Sequence, residues 1–259
     1  MRFSEDDLQA LRQAKELLEN PSLAARMTHL AGAPVERGLE MLPASWAETV
    51  RKASSAALFK ALDFSVAGLG EDGSMPPADK AHRVLAAATG AAGGALGLAA
   101  LSIELPVSTT IMLRSIADIA RSEGEPIERM ESRLACLEVF ALGGRVPADD
   151  AAETGYFAVR IALARSVSEA ARYLAQKGVV SESAPALVRF VVQVGARFGV
   201  VISQKAAAQM VPLIGAAGGA AVNTIFMNHF QDIAHGHFTV RRLERTHGVD
   251  EVRRWYEVL

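Results

Sequence analysis

The chain has a single cysteine, Cys136, among 259 residues. One cysteine rules out an internal disulfide framework and fits a reducing cytoplasm. Aromatics are few, 6% of the chain, and no stretch alternates apolar and polar residues in the way a half-buried strand requires. VRFVVQV (188–194) invites that reading but stands inside a longer helical pattern. Charge of one sign is not in excess: the formal net charge is −2, so no global field draws the chain to nucleic acid. The signatures GxxxxGK[ST], GxSxG and HExxH are missing. Gly68, Gly70 and Gly73 satisfy GxGxxG by the letter. A helical pattern precedes them and Pro76-Pro77 follows, whereas a dinucleotide fingerprint needs a strand before and a helix after. No apolar h-region follows the charged start MRFSEDDLQALRQAKELLE, so no secretory signal is expected and the expected compartment is the cytoplasm.

What the chain has in quantity is glycine and alanine, and one motif occurs twice. Gly90–Ala95 and Gly215–Ala220 both read GAAGGA. Gly90 and Gly94, Gly93 and Gly97, and Gly215 and Gly219 are each four apart, so on a helix each copy presents a strip without side chains. Glycine inside a helix costs about 1 kcal/mol against alanine, and close approach of a second helix offsets that cost. Gly90, Gly93, Gly94 and Gly97 are therefore expected to pack against Gly215, Gly218 and Gly219. Each copy sits in a run without formal charge, Val84–Ile103 and Ala206–Gln231. Twenty residues reach about 30 Å, a bilayer's apolar thickness. Alanine and glycine add little transfer energy, however, and Pro106 and Pro212 interrupt the apolar stretches, which favours buried core helices over true spans.

Helical spacing runs through the rest. Ser4 and Asp7 form a capping pair, and Leu8, Leu11, Ala14, Leu17 and Leu18 follow at helical intervals. Further helices are expected over 44–67, from Asp79 through the first repeat, from Pro106 to about Glu123, and over 127–142, 149–176 and 185–210. The second repeat continues from Pro212 to about His235, where Gly236 reads as a stop. The expectation is an all-α, single-domain protein of eight to ten helices over 1–259. Residues 1–43 form an N-terminal helical extension, and 238–259 a basic C-terminal helix with Arg241, Arg242, Arg245, Arg253, Arg254, Trp255 and Tyr256.

Chemistry is sparse. Cys136 in RLACLEVF reads as a packing residue. His229, Asp232, His235 and His237 have the composition of a metal site, yet helix capping and solvation explain them better, so no metal, cofactor or catalytic residue is assigned. Asp118 has Arg114 four residues before it, a self-satisfying pair. Glu104 ends an apolar run without a local partner, and a buried carboxylate needs one. If the two repeats pair, Glu104, Asn223 and His229 converge on one polar spot, either a structural network or a ligand site.

TGAAGGALGLAALSIELPVSTTIMLRSIADIARSEGE and VPLIGAAGGAAVNTIFMNHFQDIAHGHFTVRRLER resemble the two signature blocks of the EcsC protein family. In that family a glycine-rich helix leads into an acidic residue-Leu/Ile-Pro step. A Pro-x-x-Gly helix with an asparagine then precedes a basic helix. Glu104 and Asn223 stand at the acidic and asparagine positions. The family takes its name from a protein encoded beside the two parts of an ABC transporter and has no agreed activity. The resemblance therefore implies a helical bacterial protein with a transport or membrane connection and no mechanism. Three functions follow as expectations. The first is a non-catalytic accessory protein whose partner is the cytoplasmic membrane face or a membrane protein, bound through the glycine helices or the basic tail. The second is a soluble protein holding an apolar or lipid-like ligand at Glu104, Asn223 and His229. The third is a metal-dependent hydrolase.

Overall fold

Ser4 starts the first helix as its spacing implies. Its hydroxyl accepts the Asp7 N–H at 3.1 Å while the Asp7 carboxylate accepts the Ser4 N–H at 3.1 Å, a reciprocal cap. The bonds from Ser4 hold the Asp7 carboxyl below its usual range. The computed structural model describes residues 3–19, 39–40, 45–68, 101–144, 155–209 and 215–259. Among these the elements are α1 (Glu5–Glu19), α2 (Trp46–Gly68), α3 (Leu101–Ser122), α4 (Met130–Leu142), α5 (Gly155–Lys177), α6 (Pro185–Gln209), α7 (Gly215–His247) and α8 (Val249–Val258). There is no strand among the described residues, so the expected all-α class holds. The stretch 188–194 lies inside α6.

Two boundaries differ from the spacing. α3 begins at Leu101, so Pro106 sits inside it rather than at its first turn. Proline removes one N–H, the donor that would reach the Ser102 carbonyl, and the helix tolerates that loss close to its start. Gly236 does not end α7, which runs unbroken to His247. The glycine marks instead a close helix crossing. A Cβ there would lie 2.7 Å from Leu18 Cγ and 2.9 Å from the Ala14 carbonyl oxygen of α1. The expected C-terminal helix is accordingly two pieces, the end of α7 and a separate α8, divided at Gly248, whose φ is 88°.

α7 is the spine: α1, α3, α4, α6 and α8 all pack on it. α2 lies across α3 and α6, and α5 across α4 and α6. Where α4, α6 and α7 meet, Phe140, Phe198, Phe226 and Phe230 interlock with ring centroids 5.0 to 6.3 Å apart, distances at which aromatic pairs add to simple burial. α6 is long and apolar enough to cross a bilayer by length and composition, and in the bundle it packs against α2, α4, α5 and α7. The second glycine repeat forms the first turns of α7. The first repeat lies outside the described residues, as do Asp79 and the loop after Gly68. The expected pairing of the two glycine strips lies there as well.

Candidate functional site

Two polar systems are built into the bundle, one near each end of α7. At the glycine end, Glu104 projects from the first turn of α3 and Lys205 from the last turns of α6. The Lys205 ammonium donates to a Glu104 carboxylate oxygen at 2.6 Å, with both side chains buried. The Lys205 Nζ also lies 4.8 Å from the centre of the Phe226 ring on α7, within cation–π range. Burial pushes the Lys205 ammonium below its usual value, and the Glu104 charge and hydrogen bond pull it back. Lys205 is the partner that Glu104 lacks locally, and local spacing could not find it, because the two stand 101 positions apart.

Asn223 is buried one turn before Phe226. His229, two turns on, has Nε2 2.9 Å from the Gly143 carbonyl oxygen at the end of α4 and its ring edge-on to Phe230. The structure thus gives Glu104 and His229 different partners. Asp118 also departs from the expected pairing. Its carboxylate accepts from Arg121 at 2.7 Å, while Arg114 stands over the Phe64 ring of α2 at 5.9 Å. Three residues bring Arg121 to the same helix face as readily as four would bring Arg114, and Phe64 takes Arg114.

At the other end, α4, α5, α7 and α8 enclose a denser network. Arg160 of α5 grips Glu244 of α7 with two bonds of 2.6 and 2.9 Å. Arg241 of α7 does the same to Glu125 at 2.8 and 3.2 Å. Glu125 also accepts from Ser132 at 3.1 Å and from Arg245. Burial alone would raise the Glu125 carboxyl, but the bonds and charges of Arg241 and Arg245 outweigh it, and its net shift is downward. Arg242 pairs with Glu123 at 2.7 Å. The Tyr156 hydroxyl and His237 Nδ1 lie 2.9 Å apart in the interior.

Burial first, then the charges of Arg160 and Arg241, hold His237 neutral, well below the ordinary histidine value. His229 and His237 are therefore buried mid-helix groups and not solvated caps at a helix end. Among the described residues no group of three or more His, Cys, Asp or Glu could hold a metal ion. Cys136 is fully buried, and desolvation raises its thiol far above the usual value, which removes thiolate character.

Between Arg160 and Arg241 sits Glu138 of α4, only 6% exposed. It faces a cleft of about 370 Å³ lined also by Phe157, Ile161 and Arg253. Burial pushes its carboxyl up to about 7 against the pull of Arg241 and Arg160. Sequence reasoning missed Glu138, Arg160, Glu125, Glu244 and Lys205. The available signal for Glu138 was its isolation, a single charge in the apolar run Leu134–Leu142. The expected basic tail is largely neutralised. Arg241, Arg242 and Arg245 serve Glu123 and Glu125, Arg253 pairs with Glu257 and Arg254 with Glu251. Tyr256 is buried and Trp255 packs beside Phe3.

No curated protein and no solved structure matches the chain. The sequence profile of the EcsC protein family matches residues 5–243, most of the length, including both glycine repeats, Glu104, Lys205 and Glu138. The chain belongs to the EcsC protein family.

Proposed function

We propose that this chain is a non-catalytic accessory protein that works by contact at the cytoplasmic face of a membrane, through the glycine-repeat end of its bundle. One observation carries the reading, the internal neutralisation of Glu104 by Lys205. From Gly199 to Gln231 the only formal charge is Lys205, and from Leu101 to Leu113 the only one is Glu104. These two meet at 2.6 Å in the interior, so neither is spent on holding water at that end. Val107, on the same turn of α3 as Glu104, is 42% exposed. Bringing an uncharged surface against lipid avoids the large cost of desolvating charge. The pairing of the tail arginines with glutamates argues that α8 contributes little net positive charge to such a contact.

The test is flotation of detergent-free protein with anionic and neutral liposomes at low and high salt. Co-flotation with both lipids that persists at high salt is the expected result, because apolar contact is not screened. Flotation confined to anionic lipid and lost at high salt would move the contact to the arginines. Absence of flotation under every condition would end the membrane reading.

A further inference from the structure

We propose that the cleft between α4, α5, α7 and α8 is a binding site for a small organic acid. The acid's carboxylate lies among Glu138, Arg160 and Arg241, and its apolar body lies along Phe157, Ile161 and Val249. The inference is independent of the membrane reading and concerns the opposite end of α7.

The first observation is an asymmetry among buried glutamates. Glu104, Glu125 and Glu244 each have a cation bonded to them. Glu138 is as buried as these, but among the described residues no hydrogen bond reaches it, and it lines the cleft. Where the other three carboxylates are taken up by cations of the protein, that of Glu138 is left open to the cleft. The second observation is the donor inventory around it. Arg160 spends Nη1 on Glu244 and the Tyr156 hydroxyl and one Nη2–H on Glu244, leaving its Nε–H and the second Nη2–H. Arg241 spends Nε and Nη2 on Glu125, leaving Nη1. Arg253 spends Nε on Glu257, leaving both terminal nitrogens. Unused guanidinium donors beside a cleft suit a planar carboxylate. The cleft also meets the first turn of α8 at Val249 and Asp250, and that helix start carries no side-chain cap.

An ammonium ligand, which has only donors, could use none of the spare N–H groups of Arg160, Arg241 and Arg253. A carboxylate accepts from these, and also from Glu138 when that carboxyl is protonated. Because burial lifts Glu138 to about 7, near neutrality roughly half of the molecules carry that proton. The apolar body follows from the walls: Ile161 is 62% exposed and Val249 56%, large aliphatic groups that a ligand would cover beside the Phe157 ring. A cleft of about 370 Å³ lies at the small end of ligand sites, roughly 300–1,000 Å³.

The pH dependence follows from the charges that face Glu138. α5 brings Arg160 with its partner Glu244, and α7 brings Arg241 with Glu125. α8 brings Arg253 and Asp250, and α4 itself brings Glu131 to the same cleft. From the other helices packed on α4, Arg121 of α3 acts on Cys136, and Arg197 of α6 bonds the Ala141 carbonyl. Arg133 of α4 itself reaches the carbonyls of Ser65 and Val66 on α2. Binding an acid anion favours protonated Glu138, so affinity falls as pH rises through about 7. A bound ammonium would give the opposite slope.

The experiment is titration calorimetry of the full chain with octanoate and with octylammonium, matched in length, at pH 6 and pH 8. Octanoate binds and weakens about tenfold from pH 6 to pH 8, the ratio expected when only the form protonated at about 7 is competent. Glu138→Gln retains octanoate binding and loses the pH slope. Arg253→Gln, a substitution on an exposed helix face, weakens octanoate severalfold at both pH values. The proposal is overturned if octanoate does not bind, or if both variants leave its affinity and slope unchanged. It is equally overturned if octylammonium binds in its place with affinity that rises with pH. Both variants still behave as the parent in liposome flotation, so failure here leaves the membrane reading standing.

Discussion

The two ends of α7 bury charge in opposite ways. At the glycine end one lysine and one glutamate are taken fully inside with a phenylalanine ring for company, and each depends on the other. At the far end arginines of α5 and α7 bond Glu244 of α7 and Glu123 and Glu125 in the turn before α4, and Glu125 has three partners, Ser132, Arg241 and Arg245. An isolated buried pair has nothing to replace a lost member, while a network redistributes. The first arrangement removes charge from a region of surface. The second gathers it around a cleft. The difference teaches that similar ion-pair chemistry can serve concealment in one place and presentation in another.

The sharpest way to break the comparison is Lys205→Met. It leaves Glu104 buried without its cation, and the expected loss is about 3–5 kcal/mol in urea unfolding at pH 7. The double variant Glu104→Gln with Lys205→Met recovers most of that loss. If the single and double variants unfold alike, the pair is not an isolated unit.

Glu138→Gln probes the other end and has the opposite sign. The folded carboxyl lies near 7, above its ordinary value of 4.5, so the folded state holds the proton more tightly. The penalty for ionising Glu138 is absent below about pH 4.5, grows between 4.5 and 7, and is complete above 7. Replacing the group should therefore stabilise the fold at pH 8 by on the order of 2–3 kcal/mol and change little at pH 4. Unfolding curves at both pH values check this, and an equal effect at the two would refute the assignment.

The smallest effect is expected midway along α7, at Gly236→Ala. The added methyl gains about 1 kcal/mol of helix propensity, but one of its close neighbours is the Ala14 backbone carbonyl, which cannot rotate away. Overpacking of this kind costs roughly 1–3 kcal/mol, so a net loss of about 1 kcal/mol is expected. It should be accompanied by faster hydrogen exchange in α1. Unchanged exchange there would mean that the helix crossing has room to spare.

How much of this was legible depended on range. The helical class could be read because the spacing of Leu8, Leu11 and Leu18 and the Ser4–Asp7 cap are local. Gly236 was misread because glycine serves two purposes, ending a helix or admitting a neighbour. The neighbour, α1, lies more than two hundred residues earlier. The link from Glu104 to Lys205, and the placing of Glu138 between Arg160 and Arg241, likewise depend on helices that meet only in the folded chain. Arg121 was a fair competitor of Arg114 for Asp118 at the level of spacing, and only the ring of Phe64 decided between them.

The seating of α1 has a kinetic side. Lys15 donates to the Tyr256 carbonyl at 2.9 Å, Asp7 meets His247 at 3.1 Å, and Phe3 stacks on the His247 ring. Each contact spans about 240 residues of chain. Closing a loop of that length costs roughly 5 kcal/mol of chain entropy, and none of it is returned until α7 and α8 already stand in place to receive α1. The N-terminal helix is thus expected to seat late in folding, and pulse-labelled hydrogen exchange that protects α1 no later than α7 would refute this.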